Sequence, residues 1–164
     1  MRDYGVVRVR FWAWAKRKKL SLEARDLALY LLTSPHGNSL GCFRLPMAYL
    51  CDDLDANAKA VTKSLDELRA VGFLERDEED GWTWIWDFLE HNPVPNSNVG
   101  KAIGKLAEQI PQSVGFYERL LDALTVSYVD LDPIETLRER YRNCFDRVSK
   151  PFWSAPRDRS QGES

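Results

Sequence analysis

Four consecutive cations are followed, after Leu20, by a residue type that commonly begins a helix. Lys16, Arg17, Lys18 and Lys19, called the basic segment below, precede Ser21, whose hydroxyl can cap the backbone of a first helical turn. A helix N-terminus presents backbone N–H groups, and beside cations it attracts phosphate. The basic segment is therefore predicted to contact a nucleic-acid backbone. A charged loop that serves only solubility explains the same residues. Candidate extensions of the phosphate site are Arg8, Arg10 and Arg44.

A second group of candidates lies on the helix predicted over 56–71. Lys59 and Lys63 are four residues apart and therefore project from one face of this helix. Thr62 lies beside them, and small side chains next to lysines permit close approach to a base edge. Proteins that insert a helix into the major groove read bases with its N-terminal residues. Lys59, Thr62 and Lys63 are thus predicted DNA contacts, with an ordinary solvated helix face as the alternative.

Residue patterns for catalysis are missing from the sequence. There is no GxxxxGK[ST] phosphate loop, no HExxH and no GxSxG. His36 and His91 lie in predicted turns, where a hydrogen-bonding role is far more common than general-base catalysis. The pair Asp52 and Asp53 lies at a predicted helix end and is expected to be solvated. We expect no enzymatic activity, no cofactor and no metal site.

The composition indicates a folded protein of the cytoplasm. The chain has 164 residues, of which 44% are apolar, enough for one domain with an appendage. Its longest apolar run, "LALYLL", is too short to span a bilayer, and the N-terminus carries charge where a signal peptide is hydrophobic. Three cysteines without a CxxC pair fit a reducing compartment. We expect the cytoplasm of a bacterial host and no membrane partner.

The net charge of −2 conceals a strong asymmetry along the chain. Residues 1–50 hold nine Lys and Arg against three acids, which gives +6. Residues 51–100 hold four against twelve, which gives −8, and the remainder balances at ten against ten. The basic N-terminal region and the acidic central region will therefore select different partners.

Three helices and a hairpin follow one another between residues 21 and 90. Ser21 caps a helix that ends near "SPHGN", "LGCFRLP" forms a short strand, and Pro46 begins a second helix. Asp55 is predicted to cap the third helix and Gly72 to end it in the left-handed region. Its inward stripe is Ala58, Val61, Leu65 and Leu68.

The next segment, "FLERDEEDGWTWIWDF", predicts two strands joined by an Asp80-Gly81 turn. The fold class is therefore mostly α, within α+β: a winged helix-turn-helix over 6–92, followed by C-terminal helices. A three-helix bundle with an unrelated hairpin is the alternative.

The predicted hairpin combines an acidic tip with a row of tryptophans. Trp82, Trp84 and Trp86 share one face because side chains alternate along a strand. These indoles either pack against the core or the C-terminal helices, or form a stacking surface for single-stranded bases. Five acids between Glu75 and Asp80 favour packing, since a stacking surface needs cations nearby. They also argue against a wing that contacts DNA.

The C-terminal third reads as a separate helical unit. Residues 93–98 have the composition of a linker, 99–148 are predicted to form a helical appendage, and 149–164 a flexible tail. The appendage has three amphipathic stripes that must pack on something. They are Val99, Ala102, Ile103, Leu106 and Ile110; then Val114, Tyr117, Leu121 and Leu124; then Ile134, Leu137, Tyr141, Cys144 and Val148. They either fold back onto the Trp face or provide a protein–protein surface.

Several of these motifs also carry a family resemblance. They are Phe-Trp at 11–12, the "LLTSPHGNSLG" turn, Leu-Pro at 45–46, and the Trp-rich strand that leads into "HNP". Residues 6–98 resemble phage and prophage proteins with an N-terminal winged helix, similar to the N-terminal domains of DnaD-like primosomal and phage replication-initiation proteins. The resemblance implies association with DNA and a role in phage replication. In the replication proteins a separate C-terminal domain helps to load helicase.

The sequence leaves three functional hypotheses open. The first is a phage-type winged-helix protein that binds duplex DNA in replication initiation, with a helicase or other replication protein as partner. The second is a transcriptional regulator of the same fold. The third is a protein-binding module that inhibits a host nucleic-acid-binding protein, with the acidic wing as a phosphate mimic. Self-association through the C-terminal helices is compatible with all three.

Overall fold

The computed structural model describes residues 5–92 and 97–127, and within them the chain is a mixed α+β structure. Its helices in chain order are α1 Arg10–Arg17, α2 Leu22–Thr33, α3 Met47–Asp53, α4 Ala58–Ala70, α5 Phe88–His91, α6 Ser97–Glu108 and α7 Tyr117–Ser127. Its strands are β1 Cys42–Arg44, β2 Leu74–Arg76 and β3 Trp82–Ile85. None of the described helices is long and apolar enough to cross a membrane.

Helix α1 is an element that the sequence analysis does not predict. Phe11 and Ala15, four residues apart, are its buried positions, and Lys16 and Arg17 lie in its last turn. The helix ends in a Schellman motif, because Leu20 N–H donates to Ala15 O at 3.1 Å and Lys19 N–H donates to Lys16 O at 3.0 Å. Lys19 occupies the left-handed position of this motif, with φ of 56°. The basic segment therefore ends one helix as well as preceding another.

Helix α2 begins and ends as predicted. The Ser21 hydroxyl accepts the backbone N–H of Ala24 at 3.1 Å, and the helix ends at Thr33, two residues before Pro35. Leu27, Ala28 and Leu31 are fully buried, and α2 packs along α4. The near-continuous apolar run of α2 is explained by this central position.

Helix α4 is present over the predicted region, but its N-cap is Asn57 and not Asp55. The Asn57 side chain accepts the backbone N–H of Ala60 at 2.9 Å. Asp55 instead has φ of 48° and lies in the turn that follows α3. Both residue types cap helices, so sequence alone does not rank them. The short α3–α4 connection places Asp55 in a left-handed conformation that Asp tolerates better than most side chains.

The inward stripe of α4 differs from the predicted stripe at one end. Val61, Leu65 and Leu68 are buried as expected, whereas Ala58 is exposed and Ser64 is buried. Ala58 is the first residue of the helix. Gly72 ends the helix with φ of 73°, as predicted.

The three strands form one antiparallel sheet in the order β1-β3-β2. Cys42 pairs with Trp84 on one side of β3, and Leu74 pairs with Ile85 on the other. The β2–β3 connection is longer than the predicted two-residue turn. Asp77 N–H donates to Trp82 O at 2.8 Å, and Gly81 N–H donates to Asp77 O at 3.0 Å. The Asp77 carboxylate also accepts Asp80 N–H, which stabilises the wider loop.

Both faces of the sheet are buried. Thr83 and Ile85 have 0% and 1% exposure on the face toward α4, and Trp84 has 4% on the opposite face. The Trp84 ring lies 5.9 Å from that of Phe116, in the α6–α7 connection, and 4.3 Å from that of Trp86. Packing of Trp84 against the C-terminal unit is thereby confirmed. The stacking surface for bases is not available at this indole.

Helices α6 and α7 carry most of their predicted apolar stripes. Ile103, Ile110, Leu121 and Leu124 are buried, whereas Ala102 is exposed and Ala107 is buried in its place. On α7, Arg119 forms a double contact with the Glu75 carboxylate of β2, at 3.0 and 3.1 Å. Helix α6 begins at Ser97, inside the predicted linker 93–98, whose first four residues lie outside the described part. The predicted third stripe of 134–148 and the tail 149–164 also lie outside it.

Candidate functional site

The basic segment is exposed at all four of its positions. The adjoining N-terminus of α2, however, does not offer the phosphate site that the sequence predicts. Ser21 N–H donates to Glu67 Oε1 at 2.6 Å, and the Ser21 hydroxyl donates to Glu67 Oε2 at 2.7 Å. A carboxylate from α4 thus occupies the anion position at this helix N-terminus, where a negative charge is stabilised. Any phosphate contact must use the cations themselves.

The outward face of α4 is solvent-exposed as predicted. Lys59, Thr62 and Lys63 are all exposed on this face. The contact between Ser21 and Glu67 shows where the basic segment approaches α4. Because Glu67 lies eight residues after Lys59, the two positions are separated by about 12 Å along the helix axis. Lys63 is only four residues before Glu67, about 6 Å along the same axis, so it lies closer to the Ser21 contact than Lys59 does.

Acidic residues border the outward face of α4. Arg69 is bonded to Asp66 within the helix and to Glu78 in the β2–β3 loop, which holds the acidic loop beside α4. Arg44, a predicted phosphate contact, donates from Nε to Asp80 O at 2.9 Å and lies 3.8 Å from its carboxylate. Arg44 is more than half exposed, so it is partly neutralised without being enclosed. This neighbourhood weakens the attraction of α4 for phosphate.

Arg76 is a buried cation that the sequence analysis does not single out. Its Nη1 donates to Thr83 Oγ1 at 2.6 Å and to Gly81 O at 3.2 Å, and its Nε lies 3.4 Å from Glu78. Burial lowers the pKa of the Arg76 guanidinium. Its side chain is only 2% exposed, so it stabilises the loop and is closed to a ligand. Strand alternation places position 76 on the inward face, which was the available indication.

A polar cluster joins the turn after α2 to helix α3. Tyr30 O–H donates to Asp53, and His36 Nε2 lies 3.1 Å from the same carboxylate oxygen. The His36 ring stacks on Tyr49 with 5.2 Å between centroids. Burial, followed by the bond to Asp53, raises the pKa of Tyr30 to about 12. His36 is thus a hydrogen-bonding turn residue, as expected, and Asp53 is bonded where free solvation was expected.

Arg8 and Arg10 anchor the N-terminal segment to the end of α5. Arg8 donates from Nε and Nη2 to His91 O at 3.2 and 2.9 Å, and Arg10 Nη2 contacts His91 Nδ1. His91, the second predicted turn histidine, therefore lies in the last turn of a short helix and binds two arginines. With these pairings, Arg8 and Arg10 lie near Arg17, and all three arginines line one cleft.

That cleft, called the aromatic cleft below, has a volume of about 420 Å³ and lies between α1 and the turn that joins β3 to α5. Trp14, Phe73 and Trp86 line it, and each of these side chains is half-buried. Trp14 lies 5.6 Å from Phe73 between ring centroids. Only the tertiary fold joins these rings, so spacing along the chain does not reveal the cleft. Among the described residues, no group of three or more His, Cys, Asp or Glu side chains is arranged to hold a metal ion.

Comparison of the chain with protein-family models, curated proteins and solved structures yields no match.

Proposed function

We propose that residues 6–92 form a winged helix-turn-helix and that the protein binds duplex DNA. The order α2, β1, α3, α4, β2, β3, with β1 joined to the hairpin through β3, supports this fold. Helices α3 and α4 are joined by a connection of four residues, which supports their assignment as the helix-turn-helix unit. Helix α4 is the recognition helix in this proposal, since Lys59, Thr62 and Lys63 face solvent near its N-terminus.

The observation that carries the proposal is the exposed basic segment. Lys16, Arg17, Lys18 and Lys19 extend from the end of α1, and none of them forms an ion pair with a described residue. Unpaired exposed cations release counterions when they meet phosphate, which provides most of the affinity of non-specific DNA binding. The acidic β2–β3 loop, in contrast, repels a DNA backbone. DNA contact is therefore centred on the basic segment, with Lys59 and Lys63 as additional contacts.

The resemblance of residues 6–98 to DnaD-like primosomal and phage replication-initiation proteins supports replication initiation as the process. In this proposal a helicase or another replication protein is the partner, and the compartment is the cytoplasm of a bacterial host. A transcriptional regulator of the same fold makes the same phosphate contacts and differs in its target sequence. An origin fragment and a promoter fragment, compared in a binding assay, separate the two processes.

The salt dependence of duplex binding tests the central claim. Replacing the four cations of the basic segment with alanine should reduce the slope of log K against log[salt] by roughly 3–4, because each lost phosphate contact removes about 0.9. The double variant Lys101→Ala/Lys105→Ala, which removes two exposed cations of α6, is a control outside the basic segment and should keep the wild-type slope. An unchanged slope in the basic-segment variant excludes this segment as the DNA contact.

A second function is favoured by one specific observation, the acidic border of α4. Exposed acids around α3, α4 and the hairpin loop are Asp52, Asp53, Asp55, Asp66, Glu78, Glu79 and Asp80. A row of carboxylates can mimic phosphates and bind the basic site of a nucleic-acid-binding protein.

A pull-down from bacterial lysate, with and without nuclease, tests this alternative. A partner that survives nuclease and is lost in Glu78→Lys/Glu79→Lys/Asp80→Lys supports protein binding. A partner lost with nuclease supports DNA binding.

A further inference from the structure

The aromatic cleft has the size and lining of a small-ligand site. Its volume of about 420 Å³ lies within the roughly 300–1,000 Å³ of pockets that hold small ligands. The half-buried rings of Trp14, Phe73 and Trp86 keep part of their surface toward the cleft. Leu32 and Ile85 complete an apolar interior. An aromatic or heteroaromatic ring is the ligand group that gains most from such walls, through stacking and burial.

Cations converge on the same cleft. Arg8, Arg10 and Arg17 line it, and each is exposed. A guanidinium has five N–H donors, so Arg8 and Arg10 retain free donors after their contacts with His91. The Arg17 side chain makes no hydrogen bond or ion pair with the described residues. This combination of stacking rings and unsatisfied guanidinium groups is complementary to a planar ring that carries a phosphate.

One carboxylate in the cleft would orient a bound ligand. Asp87 lines the cleft, is exposed, and is held in the left-handed region with φ of 55° at the start of α5. A carboxylate repels phosphate but accepts hydrogen bonds from the exocyclic amine or ring N–H of a base. The phosphate is therefore directed toward the arginines and the base edge toward Asp87.

We propose that the aromatic cleft binds one nucleotide, with its base beside Trp14 and its phosphate at Arg17. The nucleotide is either an unpaired residue of a DNA single strand or a free mononucleotide, and both present the same chemistry. This site goes beyond duplex binding, because it does not use the outward face of α4. It shares Arg17 with the basic segment, so the test must separate stacking from charge.

Fluorescence anisotropy with a labelled oligothymidylate of about ten nucleotides, a length within the usual range for single-strand sites, measures the proposed binding. Trp14→Leu should weaken this binding by about 5- to 150-fold, since a stacked base loses its aromatic partner. Trp12→Leu is the matched control, because Trp12 lies on the same helix, is 54% exposed and does not line the cleft. Both variants should bind a labelled duplex like the wild type.

A charge-reversal pair supplies a second test that does not disturb packing. Arg17→Glu should abolish oligothymidylate binding, whereas Lys101→Glu on α6, with the same change in charge, should leave it unchanged. Thymidine monophosphate as a competitor identifies the source of the ligand. Competition at concentrations close to those of the oligonucleotide indicates a free nucleotide, and weak competition indicates a strand.

Three results overturn the proposal. The first is no binding of oligothymidylate by the wild type at about 100 μM, the weak end of ordinary non-specific affinity. The second is equal loss in Trp14→Leu and Trp12→Leu when circular dichroism shows both folded. The third is equal loss in Arg17→Glu and Lys101→Glu, which indicates charge without a site. Single-strand binding without duplex binding leaves the cleft supported and removes the function proposed above.

Discussion

At the residue scale, the polar side chains of this protein are largely engaged with one another. Glu67 binds the N-terminus of α2, Arg76 is buried beside Thr83, and Asp53 accepts bonds from Tyr30 and His36. Each contact joins segments that are separated in the sequence, and the Glu67 contact occupies the predicted phosphate site at Ser21. The exposed cations of the basic segment are different, because they extend from a helix end with no described acid in contact.

The raised pKa of Tyr30 predicts a loss of stability at alkaline pH. Its folded value of about 12 exceeds the ordinary value of 10.0, so the folded protein keeps a proton that the unfolded chain loses. The stabilisation is complete below pH 10 and is lost as pH rises toward about 12. Thermal unfolding across this window should show a smaller loss for Tyr30→Phe than for the wild type. Tyr49→Phe, at an exposed position of α3, is the control. Equal losses in wild type and Tyr30→Phe contradict the prediction.

At the element scale, caps and turns explain where the helices begin and end. Ser21 and Asn57 cap α2 and α4, Gly72 ends α4, and a Schellman motif ends α1. Gly41 illustrates a constraint that comes from another element, because a Cβ there would lie 2.3 Å from the Phe88 ring of α5. Its φ of 74° also favours glycine. The short helix α5 can pack against the sheet only because this position has no side chain.

The N-cap of α4 provides a prediction at this scale. Asn57→Ala should reduce the free energy of unfolding by about 1 kcal/mol, because the N–H of Ala60 loses its acceptor. Asp55→Gly is the control, since glycine accepts the positive φ of that position and no cap is lost. Urea unfolding of both variants measures the difference. A larger loss in Asp55→Gly than in Asn57→Ala contradicts the assignment of the cap.

At the scale of the whole molecule, the sheet joins two helical layers. Helix α4 packs against β2 on one face, and the segment from α6 to α7 covers the other face through Phe116 and Arg119. A two-stranded hairpin alone is marginal in water, and burial of both faces stabilises it. Because the C-terminal unit covers the face of the sheet opposite α4, an acidic hairpin can carry three tryptophans on that face. Their main role is packing, and only Trp86 also lines the cleft.

Trp84 is therefore a residue on which the junction of the two layers depends. Trp84→Ala should reduce the free energy of unfolding by about 3–5 kcal/mol, as truncation of buried aromatic residues does. Trp12→Ala, at a position that is 54% exposed, should change it by less than about 0.5 kcal/mol. Thermal or urea unfolding of both variants provides the measurement. An unchanged melting temperature for Trp84→Ala is incompatible with this packing.

Part of the candidate site could be anticipated from the sequence. The exposure of Lys59, Thr62, Lys63 and the basic segment follows from charge and helical periodicity, and the structure places them at the surface. The engagement of Arg44 with Asp80, and of Arg8 and Arg10 with His91, could not be anticipated. These partners are between 36 and 83 residues apart, so no local pattern relates them.

The sequence by itself determined α2, α3, α4 and the hairpin, because caps, breakers and periodicity act among neighbouring residues. It also determined that one face of β3 carries the tryptophans, since alternation is a property of the strand. Only the tertiary structure decided that Glu67 occupies the N-terminus of α2 and that Trp84 is covered by the C-terminal unit. It also decided that Trp14, Phe73 and Trp86 enclose a cleft with three arginines. The physical reason is that these contacts depend on how separate elements pack. Packing brings together residues that are far apart in the chain, so no local sequence pattern predicts their contact.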